Sequence, residues 1–426
     1  MRKLFCLLLV LSALLLCACG LSNAAPEAPV ETPVPTAEPT PEPTPEPTPT
    51  PEPTPEPTPT PDAHPVTLYS EAAHAERLFD DDFLSYQSFD AGEELLFTAD
   101  EPIGGVYLVW NTFPSPYEIS AGGLSVTSGE NGFLHDYVPL PVPAAEFTLR
   151  LPQDTGLDLC DVYAVSEGIL PDWVQVWLPP CETADILVVP THADDEYIFF
   201  GGVLPVYAGE RGLEVQVMYM TSHYTGSERY RCHEQLNGLW VAGVRHYPVI
   251  NDVRDFLFDN REQAAGYYGH RSFIDFQVEQ IRRFKPLVIV DHDEAGEYGH
   301  AVHQLNAYSM EQAVSLAADA SYDPDSAARY GAWDTPKTYI HLYGDEEART
   351  MLNYETPLQA FGGQTGFEVA QKALLEHHSQ LQWDFEVYSF DSPFDTHSFG
   401  LYRSLVGPDI QRNDLLENIS FSDWRT

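Results

Sequence analysis

Positive charge is scarce in this 426-residue chain: 21 Lys and Arg stand against 65 Asp and Glu, a formal net charge of −44. That balance argues against nucleic acid and anionic lipid headgroups as partners of the folded surface. Long hydrophobic runs are scarce too. The apolar run at the N-terminus, Leu4 to Leu16, is too short for a spanning helix, which needs about 20 such residues. Cysteine is sparse, with six in all, and Cys6, Cys17 and Cys19 fall at the very start. Of the remaining Cys160, Cys181 and Cys232, a disulfide is allowed outside the cytosol, and Cys160 with Cys181, which flank one strand-like region, is the first candidate. What the chain has in quantity is apolar residue, 43% against 20% charged, so most of it is expected to fold.

Arg2 and Lys3 ahead of the apolar run give residues 1–18 the layout of a secretory signal. Leu16-Cys17-Ala18-Cys19 resembles a bacterial lipobox. The resemblance implies cleavage before Cys19, acylation of that cysteine, and anchoring on the extracellular face of the bacterial cytoplasmic membrane, within the cell envelope. Each buried methylene contributes about 0.8 kcal/mol, and two or more chains hold a protein stably on a bilayer. Residues 19–65 then read as the lipidated end and a linker. Pro26 to Pro61 repeats Pro-Glu-Pro-Thr and Pro-Thr with almost nothing apolar to bury, and polyproline II at this length makes a semi-rigid spacer on the order of 100 Å.

Residues 66–180 read as an all-β sandwich. Short runs such as Leu95 to Phe97, Val106 to Trp110, Phe147 to Leu151, Val162 to Val165 and Trp173 to Trp177 alternate with glycine-rich turns. The stretch resembles galactose-binding-like jelly rolls, which implies either a glycan-binding module or a structural platform. From 184 to 426 the period changes. Strand-like Ile186 to Val189, Val215 to Met220, Leu287 to Val290 and Thr338 to Leu342 alternate with helix-like stretches around Gly201 to Ala208, Glu228 to Ala242, Phe273 to Phe284 and Phe367 to Leu381, with β-type runs again from Val387 to Val406. This alternation predicts an α/β domain with a Rossmann-like parallel sheet.

Polar clusters follow three of those strands directly: His192 to Glu196, Thr221 to His223, and Asp291 to Asp293 leading to His300 and His303. Carboxyl ends of parallel strands lie along one edge, where ligands bind. A catalytic zinc takes three protein ligands and keeps one position open. His192 and Asp195, three apart, can grip one ion from a strand-to-helix turn. One of His300 and His303 can complete the set while the other faces substrate, and Asp194 lies beside the metal, where a general base belongs.

Four segments then resemble the PIG-L/LmbE-like zinc N-deacetylases: Thr191 to Glu196 as their HPDDE signature, Glu297 to His303 as their GHPDH segment, Arg231 to Glu234 ahead of Gly243-Val244, and Lys372-Ala373-Leu374 with His378-Ser379-Gln380. The resemblance implies Zn2+ (or another divalent ion) held by His192, Asp195 and His303, Asp194 as general base, and His300 stabilising the tetrahedral oxyanion or protonating the leaving amine. It further implies hydrolysis of an N-acetyl group from an N-acetylglucosamine-type sugar; export makes an extracellular or cell-wall glycan the expected partner. The competing reading is a lipid-anchored glycan-binding protein on an inert deacetylase scaffold. Two positions depart from the pattern. Ala193 replaces a proline, and Ala301-Val302 replaces Pro-Asp, removing a carboxylate that would orient the neighbouring histidine. Asp291, Asp293, Glu294 and Glu297 are candidate substitutes.

Overall fold

The computed structural model describes residues 60–224 and 228–425. The expected signal segment, Cys19 and most of the proline-rich tract lie outside the described residues. Among the described residues no helix is long and apolar enough to cross a membrane.

The first half is antiparallel β. Strands β1 (Pro65–Val66), β2 (Leu68–Ser70), β3 (Gln87–Phe89), β4 (Glu94–Trp110), β5 (Tyr117–Ala121), β6 (Leu124–Ser128), β7 (His135–Arg150) and β8 (Leu157–Val165) join in the order β1-β8-β4-β7-β5-β6, with β2 on β4 and β3 on β8. Alternation explains the burial. Phe97 faces Phe147 across β4 and β7 with rings stacked at 4.8 Å, and both are buried. Two expectations change here. The separate runs at Leu95 and Val106 belong to one 17-residue strand, whose register shifts between Thr98 and Ile103, and the pairings link all eight strands in one sheet rather than in two. Trp173 to Trp177 forms no strand: this loop buries Trp177 edge-on against Trp240 and Tyr247.

The second half is a mixed seven-stranded sheet. Strands β9 (Ile186–Val188), β10 (Val215–Tyr219), β11 (Val249–Ile250), β12 (Val288–Asp291) and β13 (Lys337–His341) are parallel, while β14 (Thr350–Met351) and β15 (Ser398–Ser404) add antiparallel pairings. The order β11-β10-β9-β12-β13-β15-β14 means that the chain travels outward from β9 in one direction, then returns to start again from β12 in the other. β-Type runs expected across Val387 to Val406 reduce to β15. Alternate residues of the central strands feed two cores. Ile186, Val188, Val217, Tyr219, Val288 and Val290 join one cluster; Leu187, Val189, Met218, Met220 and Ile289 join the other. A strand buried on both faces reads as continuous apolar sequence, as these do.

Among the described residues eight α-helices complete this half: α1 (Asp195–Ile198), α2 (Tyr230–Val241), α3 (Arg261–Tyr268), α4 (Ser272–Phe284), α5 (Ala301–Leu316), α6 (Pro324–Tyr330), α7 (Gly366–Leu375) and α8 (Phe421–Trp424). The helix expected over Gly201 to Ala208 is instead the one-turn α1 followed by a π-type turn at Pro205–Glu210. Gly201, at φ 51°, sits where a Cβ would lie 2.5 Å from Thr396 Oγ1, so a side chain there would collide. The two halves pack through Phe133 stacked on Tyr247 at 4.5 Å, Phe113 on Tyr224 at 4.1 Å, and a buried His135–His233 contact of 2.9 Å. Cys160, Cys181 and Cys232 are all free and buried, and the first two sit in different apolar clusters. The candidate Cys160–Cys181 disulfide is therefore not formed.

Candidate metal centre and active site

The carboxyl ends of the parallel strands carry the site, at the point where the chain's direction of travel reverses between β9 and β12. His192 to Asp195 occupy the turn after β9 and open α1; His292 follows β12; His303 is in the first turn of α5; His341 ends β13; Asp255 lies in the loop after β11. Apolar strands supply the rigid floor, and polar residues begin where each strand stops.

His192 Nδ1, His303 Nε2 and Asp195 Oδ2 form a nearly equilateral triangle: 3.1 Å between the two nitrogens, 3.1 Å from His192 to the carboxylate and 3.2 Å from His303 to it. All three residues are buried, His303 completely. The opposite ring nitrogens decide what this triangle can hold. His192 Nε2 lies 3.2 Å from Asp255 Oδ1, and His303 Nδ1 lies 2.8 Å from Glu297 Oε2. Carboxylates only accept, so these outer nitrogens carry the hydrogens. With neutral rings the inner nitrogens would be bare lone pairs facing each other and a carboxylate oxygen, a repulsion relieved by a cation among them, either a proton on His192 or a metal ion. Tetrahedral zinc bonds of about 2.0–2.1 Å put ligand atoms roughly 3.3 Å apart, close to the spacing seen. The charge agrees. Burial works against a charged His192, but the Asp255 and Asp195 carboxylates outweigh it and hold its pKa up at about 10. Burial would raise Asp195, yet His303 and His192 hold its carboxyl well below the usual range. The residues present fit a divalent metal ion.

Glu297 settles which carboxylate faces the histidines where Pro-Asp is missing. Its Oε2 meets His303, and its Oε1 lies 3.0 Å from His292 Nδ1 and 3.1 Å from His341 Nδ1. The φ of 53° at Glu297 places it on a left-handed turn between Gly296 and Gly299. His292 in turn accepts the Thr191 amide at Nε2, 3.0 Å away, fixing the hydrogen on the Nδ1 that faces Glu297. Asp255 and His341 were not among the expected site residues, and His292 entered only as part of the Asp291 to Asp293 cluster. His292 follows β12 and His341 ends β13, which is the signal that would have found them, whereas Asp255 lies in the loop after β11.

Asp194 is held apart from the triangle. Its φ of 125° is strained for a non-glycine residue, and its amide donates to Glu196 Oε2 at 2.9 Å. Arg231 donates to Ala193 O at 2.6 Å and reaches Asp194 Oδ2 at 3.5 Å. The carbonyl of Ala193 thus fixes the turn that a proline would have stiffened. Burial pushes the Asp194 carboxyl up to about 7 against the pull of Arg231, leaving it poised to take or hold a proton. Glu234, one turn along α2, accepts from the Ser379 amide at 2.8 Å and hydroxyl at 2.6 Å, which ties α2 to the segment after α7. The buried histidine there is His377, 3.4 Å from Glu196, while His378 is exposed.

His300 precedes α5, with ring centroids 4.8 Å from His192 and 4.6 Å from His303. Its Nδ1 is buried without a partner, and burial with the two neighbouring imidazoles lowers its pKa to about 3. One of its ring nitrogens lies within 4.8 Å of ring nitrogens of both His192 and His303, so a neutral His300 ring reaches the same cluster. Tyr298, half exposed, stands at the rim beside Phe199 and His300.

An α/β sheet with a His/Asp/His cluster at its switch point defines a class of metal-site proteins rather than one member. No family model matches the chain. A relative from Geodermatophilus obscurus, a 1D-myo-inositol 2-acetamido-2-deoxy-alpha-D-glucopyranoside deacetylase, is 29% identical over 180 residues, covering 36% of this chain and 60% of the relative. A protein of the same name from Kribbella flavida is 36% identical over 215 residues, covering 43% of this chain and 69% of that one. The chain belongs to the PIG-L/LmbE-like family of these deacetylases. It spans only about three-fifths of the first of these relatives, at 60%. Among solved structures, the N,N'-diacetylchitobiose deacetylase from Pyrococcus horikoshii superposes with a TM-score of 0.36 at 17% identity, over 50% of this chain and 74% of that one.

Proposed function

We propose that the protein is a zinc-dependent N-deacetylase that hydrolyses an N-acetyl group from an N-acetylglucosamine-type amino sugar of an extracellular or cell-wall glycan. The observation that carries this reading is the triangle of His192, Asp195 and His303 lone pairs with Asp194 buried beside it. The GlcNAc-inositol deacetylases among its relatives support the substrate class. The lipobox-like Cys19 and the proline-rich spacer support a place on the outer face of the membrane, tethered through lipid.

His192, Asp195 and His303 would hold the ion, with Asp255 and Glu297 orienting the two imidazoles. When bound, a divalent cation supplies Lewis-acid polarisation of an amide carbonyl and makes water a competent nucleophile near neutral pH. Asp194 takes the proton from the attacking water and passes it on toward the departing amine. Arg231, 3.5 Å from Asp194 Oδ2, holds that carboxylate in place. The neutral His300 ring donates a hydrogen bond to the carbonyl oxygen as negative charge develops there, the kind of stabilisation that contributes most in acyl transfer. Burial of this polar set excludes bulk water, so each of these interactions acts at low dielectric.

The test is acetate release from N-acetylated chito-oligosaccharides by the zinc-loaded protein. Release that is abolished in Asp194→Asn, with metal content unchanged, supports the reading. No release from any N-acetyl glycan, with full metal content, overturns it in favour of a glycan-binding role on an inert scaffold.

A further inference from the structure

We propose that Cys181, Glu214 and His246 form a second metal site, one that takes Zn2+ and staples the connector from the antiparallel sheet onto the α/β sheet. One donor atom from each residue lies within 4.8 Å of the other two. Their placement is the reverse of the active site's. Cys181 precedes β9, Glu214 immediately precedes β10, and His246 precedes β11, so the cluster sits at the amino-terminal edge of the parallel strands. The proposal does not depend on the deacetylase reading.

Glu214 Oε2 is the shared centre, 2.6 Å from His246 Nε2 and 3.8 Å from Cys181 Sγ. His246 Nδ1 lies 2.6 Å from the carbonyl oxygen of Pro179. A carbonyl only accepts, so Nδ1 carries the hydrogen, and in the neutral ring Nε2 presents a lone pair directly to a carboxylate oxygen. A positive species must lie between them: at 2.6 Å a proton fits as the atoms stand, and a metal ion fits once the Glu214 carboxylate moves back to about 3.3 Å. The thiol argues for the metal. Cys181 is buried, its backbone amide is fixed by a 2.9 Å bond to Gln216 Oε1, and its sulfur is turned to that same carboxylate oxygen. A thiolate, imidazole and carboxylate together suit Zn2+ and not Mg2+ or Ca2+. Burial pushes the free Cys181 thiol up, so binding releases the thiol proton to solvent, and the imidazolium proton where it is present.

Tetrahedral zinc places nitrogen and oxygen ligands about 3.3 Å apart and sulfur and oxygen about 3.6 Å apart. The Glu214 side chain, 55% exposed, can make that adjustment freely. The connector is already laid against the sheet here: the Leu178 amide donates to Arg245 O, and the Tyr247 amide donates back to Leu178 O, both at 2.9 Å. A metal ion joining Cys181 to His246 and Glu214 would close this contact with bonds rather than with two backbone hydrogen bonds.

The experiment uses the purified full chain loaded with Co2+ in place of Zn2+. The active-site triangle contains no sulfur, so a thiolate-to-cobalt charge-transfer band in the near ultraviolet that is lost in Cys181→Ser and kept in Cys160→Ser and Cys232→Ser reports Cys181. The wild type is expected to show the band and to hold two ions per chain by elemental analysis. His192→Ala keeps the band and loses one ion. Cys181→Ser loses the band, keeps one ion, and unfolds at lower temperature than wild type in zinc but not in a chelator. If Cys181→Ser does not fold, His246→Ala, on a partly exposed ring, is expected to weaken or abolish the band. Absence of the band in the wild type, or equal metal content in wild type and Cys181→Ser, overturns the proposal and leaves an imidazolium–carboxylate pair beside a thiol.

Discussion

Glu297 divides its two carboxylate oxygens between histidines, Oε2 at 2.8 Å from His303 Nδ1 and Oε1 at 3.0 Å from His292 Nδ1. One buried acid thereby sets the ring orientation of a metal-type ligand and of the imidazole behind it. Glu297→Gln removes the charge and places an amide against three histidine nitrogens, those of His303, His292 and His341. Zinc affinity, measured against a competing chelator, is expected to fall about 10–100-fold, the range typical of losing such a partner. Unchanged affinity would show that His303 is oriented by its packing in α5 alone.

Asp194 and Asp195 are neighbours with separate expected roles, and single substitutions separate them. Asp194→Asn is expected to retain metal and lose roughly 10²–10⁴-fold in deacetylation rate, the usual contribution of a positioned base. Asp195→Asn is expected to lose metal and activity together. Comparing metal content by elemental analysis with acetate release distinguishes the two.

Asp161, fully buried in β8, gives a pH prediction remote from the metal site. Burial, with Asp80, Asp81 and Asp82 nearby, raises its pKa to about 7. The folded state therefore holds a proton that the unfolded chain, with a pKa near ~3.9, has already released. The associated stability is fully present below that unfolded value and is lost as pH rises through about 7. Asp161→Asn, which can still accept from the Asp81 amide, is expected to gain on the wild type by on the order of 2 kcal/mol between pH 4 and 8. Thermal unfolding across that range, with parallel curves for the two proteins, would count against it.

Ser379 satisfies both oxygens of Glu234. Ser379→Ala keeps the backbone bond and strands one buried carboxylate oxygen, at an expected cost of ~1–3 kcal/mol. Urea unfolding checks the figure; a loss below a few tenths would mean that solvent reaches Glu234.

Much of the site was legible because apolar strands stop abruptly at polar clusters. Ile186 to Val189 ends at His192, and the βαβ alternation puts that end beside the end of Val288 to Asp291. Spacing alone left His300 and His303 equivalent; helix position separates them, since His303 is inside α5 with its Nδ1 on Glu297 while His300 precedes the helix. Asp255 was not legible, because its loop after β11 carries no periodicity and its role depends on a 63-residue return to His192. The long β4 and β7 were misjudged for a related reason. Gly104-Gly105, beside a register shift, reads locally as a turn, while pairing to β7 carries the strand through it.

The inner nitrogens of His192 and His303 meet across a separation of 111 residues. Nothing near either histidine in sequence can assemble the cluster, which must wait for α4, β12 and the start of α5 to be made and docked. Capture of a metal ion by this cluster would then be a late event on the folding path, of the slow, non-local kind. An ion at 100 times its dissociation constant would add about 2.7 kcal/mol to the finished fold. Zinc depletion during synthesis is therefore expected to lower the yield of folded protein as well as its activity.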